Sequence, residues 1–279
     1  MTSRHPTHGV INLAALDLRG RPDHRSELKS QLLMGEVVRV LGAVMDGQWW
    51  RVESRADCYS GWIRTWGVIP AAREGAREWL ERSRARVLAL YAEVRAGRGR
   101  GPLVSPMFWN GRLVPGRTVG RYRPVELPDG RRGWIESRAI VVGSRPGIAL
   151  RKRVRGLLGV PYMWGGRTPM GLDCSALTQQ LLFEQGRMLP RDADDQYRIC
   201  RPLDRGATPR LGDLVFFGPR SGRLGHVGMM LGKALYVHSR GQVRVNSMER
   251  GNPLWDSELS AQIRAIRRPI HSPAGRPRR

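Results

Sequence analysis

Leu172-Asp173-Cys174-Ser175-Ala176-Leu177-Thr178 is the stretch around which the chain reads. Before it, Pro161-Tyr162-Met163-Trp164-Gly165-Gly166-Arg167 is loop-like, and Pro169 and Gly171 follow. None of these prolines and glycines suits a helix interior. From Cys174 onward Ala176, Leu177, Leu181 and Leu182 recur at helical spacing, and Gly186 closes the run. Cys174 therefore opens a helix, with Asp173 at the N-cap position. A thiol there meets unpaired N–H groups and the positive end of the helix dipole, which favour the thiolate.

Two histidines lie downstream in short apolar runs that read as strands, Gly225-His226-Val227-Gly228-Met229-Met230-Leu231 and Tyr236-Val237-His238-Ser239. A cysteine nucleophile needs a base to take its proton, and the base needs a third group to orient it. The chain offers those types in the order Cys174, His226, His238. Taken singly, each has a plainer reading: a buried structural thiol or a core strand histidine.

Four motifs in this order, the P-Y-x-W-G-G loop, Asp-Cys-Ser, Gly-His-Val-Gly and a second histidine twelve residues on, resemble the NlpC-type cell-wall peptidases over roughly residues 148 to 270. The resemblance implies a papain-like cysteine peptidase that cuts peptidoglycan stem peptides. Ala176 stands where the family usually has Gly, a small residue for a small residue. By this resemblance Cys174 is the nucleophile, His226 the general base and His238 its orienting partner. Tyr162 would help hold the oxyanion with the backbone N–H of the cysteine, a task suited to donors at a helix start. Trp164 shapes the loop and joins the substrate-contacting candidates.

The bulk composition sets wide bounds. A chain of 279 residues has room for about two domains, or three small ones. With 41% hydrophobic residues it can build cores. The net charge of +24 divides as +2 over residues 1–70, +9 over 71–150 and +13 over 151–279. Arginine supplies 45 of the 48 basic residues. Such an excess attracts polyanions at low salt, or simply decorates solvated faces. No basic stripe interleaved with aromatics, helix-turn-helix or zinc pattern is present, so no specific nucleic-acid partner is expected.

Cys58, Cys174 and Cys200 make no C-x-x-C pair, and an odd count fits a reducing compartment. Cys58 and Cys200 read as inert. The run Val10 to Leu16 is too short and too polar for a secretory segment, and no stretch is long and apolar enough to span a membrane. A cytoplasmic location is expected, or a secreted or wall-bound one if the true start lies upstream. No metal or organic cofactor is implied. A monomer is expected, although no pattern speaks to oligomeric state.

Residues 1–70 alternate short β-rich runs with turns, including Asp46-Gly47 before Trp49-Trp50-Arg51-Val52. The run from Leu18 to Leu33, with Trp50 and Gly61-Trp62, resembles a bacterial SH3 domain, a small barrel. Residues 71–100 read as a linking amphipathic helix, because Trp79, Leu80, Val87, Leu88, Tyr91 and Val94 recur at three- and four-residue steps. Residues 101–146 contain Asp129-Gly130 and Gly133-Trp134-Ile135, echoing Gly61-Trp62-Ile63, which argues for a second, degraded SH3-type barrel. Residues 147–270 place helices before an antiparallel sheet with strands at Asp213–Phe217, His226–Leu231, Ala234–His238, Val243–Asn246 and Arg264–Arg268. A short helix is expected from Asp192 to Cys200. That pattern is α+β. Residues 271–279 read as a disordered basic tail.

The whole layout resembles the subgroup of γ-D-glutamyl-L-diamino acid endopeptidases, which act on peptides with a free N-terminal L-Ala. There the ammonium is held by acidic groups and a tyrosine, partly from the first SH3 domain. The matching positions are Glu27, Tyr59 and Asp192, with Asp173 and Ser175 lining the same cleft. An ammonium removed from water needs such a carboxylate partner. Ala193 stands where the subgroup often has Ser. Otherwise Glu27 is a solvated charge and Asp192 a helix N-cap. Two other readings stay open: an exported peptidoglycan hydrolase tethered by its SH3 domains, and a non-enzymatic binder of wall polymer or nucleic acid.

Overall fold

Short β-rich runs separated by glycine and Asp-Gly turns build the first of two units, which divide at Gly147 in the computed structural model. Residues 5–143, 147–219 and 221–270 are described; the tail at 271–279 lies outside them. The first sheet holds β1 (His8–Ile11), β2 (Ala15–Arg19), β3 (Leu28–Leu33), β4 (Val37–Val44), β5 (Trp49–Ser54), β6 (Ser60–Arg64) and β7 (Val68–Ala71). Its order is β3-β2-β6-β5-β4-β1-β7, around a core of Ile11, Leu18, Leu32, Val52 and Ile63. The Asp46-Gly47 turn joins β4 to β5 with both residues at positive φ, the backbone such a dipeptide favours.

Helix α1 (Arg73–Arg82) follows, and then β8 (Ala85–Val87), β9 (Tyr91–Arg95), β10 (Leu103–Phe108), β11 (Arg112–Pro115), β12 (Tyr122–Glu126), β13 (Arg132–Glu136) and β14 (Ile140–Val142). These make a second sheet of order β10-β9-β13-β12-β11-β8-β14. Strand for strand, it repeats the first. Trp62 on β6 and Trp134 on β13 occupy equivalent places.

The linking helix read over 71–100 is corrected here. It ends at Arg82, and the second barrel starts at Ala85 rather than 101. The misleading residues are Val87, Tyr91 and Val94. Their steps of four and three imitate a helix, but burial alternates along β8 and β9 with period two. All seven strands of the first sheet have a counterpart in the second.

The two barrels are joined by more than a linker. Helix α1 buries Ala76 and Trp79 against Val10 and Val37, and the Trp79 indole N–H donates to the Gly35 carbonyl at 2.9 Å. Met34, at the β3–β4 turn, is buried in the core of the second barrel with Val94, Met107 and Leu113. Gly35 has φ of +80°, and a Cβ there would sit 2.5 Å from the Arg112 carbonyl oxygen. Only glycine suits that backbone and that approach.

The second unit comprises α2 (Leu150–Leu157), the short pair β15 (Arg167–Thr168) and β16 (Gly171–Leu172), α3 (Cys174–Glu184), α4 (Ala193–Ile199), β17 (Cys200–Pro202), β18 (Leu214–Phe217), β19 (His226–Met230), β20 (Leu235–Arg240), β21 (Gln242–Ser247), α5 (Ser257–Ala261) and β22 (Ile263–Pro269). The sheet order is β17-β22-β18-β19-β20-β21, with every pair antiparallel. The sequence reading missed β17, whose three residues pair with the end of β22.

Helix α3 packs on β19 and β20, and ten of its eleven residues are buried, which makes it the central helix. Several of its polar side chains are satisfied from within. Thr178 donates to Gln196 at 2.7 Å, Gln180 to the Arg167 carbonyl at 2.9 Å, and Glu184 takes two bonds from buried Arg153 at 2.7 and 2.8 Å.

Candidate active site

Cys174 is the first residue of α3, and Asp173 caps the helix by accepting the Ala176 N–H at 2.8 Å. The thiol is buried. Burial, and then the Asp173 charge, push its pKa up to about 11, against the pull of the Val227 and Ser175 backbone groups and Arg191. The helix terminus alone favours a thiolate, but desolvation outweighs it here. The raised value favours the neutral thiol over the thiolate. The bond of the sulfur to the Val227 backbone sets it beside the start of β19.

His226 opens β19 and His238 lies on β20, where the register pairs His238 with Gly228. Residues two apart on a strand share a face, so His226 and His238 project to the same side. Their rings meet with His226 Nε2 and His238 Nδ1 2.8 Å apart. Gly228 makes room for this, since a Cβ there would lie 2.9 Å from the Val237 carbonyl oxygen and 3.2 Å from the His238 Cβ.

On β21, His238 pairs with Arg244, and Asn246 stands two residues along on the same face. Asn246 Oδ1 is 2.8 Å from His238 Nε2, and its amide nitrogen donates to the Leu254 carbonyl at 2.9 Å. The sequence reading did not single out Asn246. The available signal was a polar amide ending the otherwise β-rich run that follows His238.

Both imidazoles are held neutral. Burial, and then His238, Arg240 and Arg244, lower the His226 pKa to about 3. Burial lowers that of His238 to about 4; Arg244 and Arg240 act the same way, and the Asn246 bond and Asp256 oppose them.

Tyr162 comes from the loop after α2. Residues 159–162 run beside β21, with the Gly159 N–H on the Val243 carbonyl, the Val243 N–H on the Val160 carbonyl and the Tyr162 N–H on the Gly241 carbonyl. Its phenol is pushed up to about 12 by burial and by the neighbouring Cys174 and Asp173 charges. Tyr162 is therefore a neutral O–H donor close to the thiol. Trp164, two residues on, is 63% exposed.

Asp173 and Ser175, expected to line the cleft, both make internal hydrogen bonds. One Asp173 oxygen accepts from Ala176 N–H, the Ser175 hydroxyl and Arg191; the other accepts from Gly165 N–H at 3.0 Å and again from Arg191. Arg191 also donates to Ser175 Oγ at 2.9 Å. This buried cluster ties the glycine loop, the start of α3 and the segment before α4 together. Asp192 occupies the N-cap position of α4, where its side chain makes no capping hydrogen bond.

Glu27 and Tyr59 belong to the first barrel. Glu27 is exposed just before β3, and Tyr59, half-buried, has Lys29 Nζ 4.6 Å from its ring centroid. The other candidates all belong to the second unit. Among the described residues no group of three or more His, Cys, Asp and Glu converges to hold a metal ion.

What the second-unit arrangement can do chemically is therefore specific. It offers a neutral thiol, a neutral imidazole tied to a second imidazole, a phenolic donor and backbone N–H groups at a helix start. That combination suits attack on a carbonyl with proton transfer.

Comparison with known proteins agrees with this chemistry. Residues 159–264 match the NlpC/P60 family, and residues 18–66 match the bacterial dipeptidyl-peptidase SH3 domain. A dipeptidyl-peptidase 6 of Lysinibacillus sphaericus is 27% identical across 93% of this chain and 98% of its own length. A γ-D-glutamyl-L-lysine dipeptidyl-peptidase of Bacillus subtilis is 35% identical, over 42% of this chain and 41% of its own. An NlpC/P60 family protein from Bacillus cereus superposes with a TM-score of 0.78 over 94% of this chain and 99% of that one; at 20% identity this speaks for the fold. Residues 159–264 thus form an NlpC/P60 domain, behind a bacterial dipeptidyl-peptidase SH3 domain at residues 18–66.

Proposed function

We propose that this chain hydrolyses the γ-D-glutamyl to L-diamino acid bond of peptidoglycan-derived peptides that carry a free N-terminal L-Ala, in recycling of wall fragments. The observation that carries the reading is the collinear match to a dipeptidyl-peptidase 6 over nearly the full length of both chains, so that barrels and catalytic domain fall in one alignment. Cys174 attacks the scissile carbonyl while His226 takes the thiol proton, and the same proton passes to the leaving amine. Tyr162 O–H and the backbone N–H of Cys174 receive the developing oxyanion. Water then hydrolyses the thioester, with His226 as base. His238 orients His226.

In this reading Glu27, Tyr59 and Asp192 hold the substrate ammonium, and Trp164 covers the bound peptide. Asp173 and Ser175 act through Arg191 on the position of the loop and helix. A recycling enzyme of this kind would work in the cytoplasm, which cell fractionation would test.

The experiment compares wild type with Cys174→Ala on L-Ala-γ-D-Glu-meso-diaminopimelate and on its N-acetylated form, with products followed by mass. Release of free diaminopimelate from the unblocked peptide by wild type alone is expected. Equal cleavage of both peptides would retain the peptidase and remove the ammonium-binding roles. Cleavage of neither, together with lysis of purified sacculi, would overturn the reading in favour of a wall hydrolase.

A further inference from the structure

The hydrogen-bond chain from His226 has one end whose polarity is fixed. The Leu254 carbonyl can only accept, and it is held in place by a bond from the Ser247 backbone N–H at 2.9 Å. The Asn246 group that approaches it at 2.9 Å must therefore be the NH2. That turns Asn246 Oδ1 toward His238 Nε2, and an amide oxygen can only accept.

We propose that Asn246 is a positioning residue that sets the tautomer of both histidines, reading out the Leu254 carbonyl into the base nitrogen of His226. His238 carries its proton on Nε2, so its Nδ1 holds a lone pair. His226 then donates from Nε2 to that Nδ1, and His226 Nδ1 is left as the nitrogen that receives the thiol proton. Three polar links, each with one permitted direction, convert a backbone carbonyl into a defined base. Burial supports the scheme by keeping each ring at a single proton near neutral pH.

An amide in this place has a further consequence. It orients without charge, so it offers an imidazolium on His226 no anionic partner. The charged groups acting on the pair are Arg240 and Arg244, which oppose protonation, and Asp256, which favours it at His238. The raised thiol and lowered imidazole values favour a neutral resting pair.

The test has two arms on the full chain, and only the second rests on the proposed peptidase reading. In the first, 15N-histidine labelling reads the tautomers directly, with the two rings assigned by their loss in His226→Gln and His238→Gln. Both are expected as Nε2–H imidazoles; His238 protonated on Nδ1 overturns the proposal. In the second, Asn246→Leu and Asn246→Asp are assayed on the unblocked tripeptide. Asn246→Leu is expected to lower kcat about 10- to 100-fold with KM unmoved, the scale seen for outer partners of metal-bound histidines. Asn246→Asp keeps the acceptor and adds charge, so it retains more activity and moves the acid limb of the kcat profile upward. Wild-type kcat and wild-type nitrogen shifts in Asn246→Leu would overturn it. If Asn246→Leu does not fold, the wild-type spectrum still decides. If wild type cleaves no tripeptide, the substrate reading fails while the tautomer result stands.

Discussion

The second unit holds two buried polar clusters of opposite character. On the sheet, His226, His238 and Asn246 form a chain that is neutral at every member. At the start of α3, Asp173 and Arg191 form a charged pair with bidentate geometry, closed by Ser175 and two backbone N–H groups. The first must move a proton, and fixed charge beside it would pin the proton to one site. The second must not move, and a saturated ion pair resists displacement because any lost partner leaves a buried charge exposed to low dielectric. One catalytic region thus separates proton transfer from positioning by charge state.

The largest way to break this contrast is Arg191→Met. Leaving Asp173 buried and unpaired is expected to cost about 3–5 kcal/mol of stability, read from urea unfolding at neutral pH. Replacing both residues, as Asp173→Asn with Arg191→Met, should recover part of that loss, because the amide still accepts the Ala176 N–H.

Acid should single out the neutral cluster. The folded-state pKa values of His226 and His238 lie below the ordinary histidine value of 6.5. The unfolded chain therefore binds protons first as pH falls. Their contribution is fully present above pH 6.5 and is lost as pH drops toward about 4 and then about 3. Between pH 6.5 and 5 that is about 2 kcal/mol per histidine. Unfolding midpoints at pH 7 and pH 5 should differ strongly in wild type, and much less when both histidines are glutamine.

Gly228→Ala sharpens the steric side of the same cluster. Its new methyl meets backbone at 2.9 Å and the His238 Cβ at 3.2 Å. A loss of about 1–3 kcal/mol is expected, with kcat falling more than stability alone explains. The smallest effect belongs to Arg240→Gln. Arg240 pairs with Glu258 at the surface, so stability should change by less than about 1 kcal/mol. The acid limb of kcat should still rise slightly, since one charge opposing protonation of both rings is gone.

The neutral and charged clusters differed in how far the sequence revealed them. Cys174, His226 and His238 carry local signatures: a loop-to-helix switch and histidines in apolar strands. Asn246 shows only as a polar amide ending a β-rich run, and its role depends on a cross-strand offset and on a carbonyl eight residues away in an irregular segment. Asp173 was legible as an N-cap, but its saturation by Arg191 was not, for that pair spans eighteen residues and needs α3 and the segment before α4 folded together. In the first unit, the turns at Asp46-Gly47 and Asp129-Gly130 mark hairpins that the structure contains. Residues 85–95 were misread for a physical reason. Residues 87–92 are apolar without a break, so the strand period shows only once burial is known.

Met34 deserves a last consequence. Its side chain completes the interior of the neighbouring barrel, and Gly35 beside it admits the Arg112 backbone at close range. Modules strung on a linker can be gained, lost or shuffled one at a time. Here, excision of either barrel would leave a hole in one and a bare methionine on the other. The two barrels therefore share one interior through Met34, and each depends on the other to complete it.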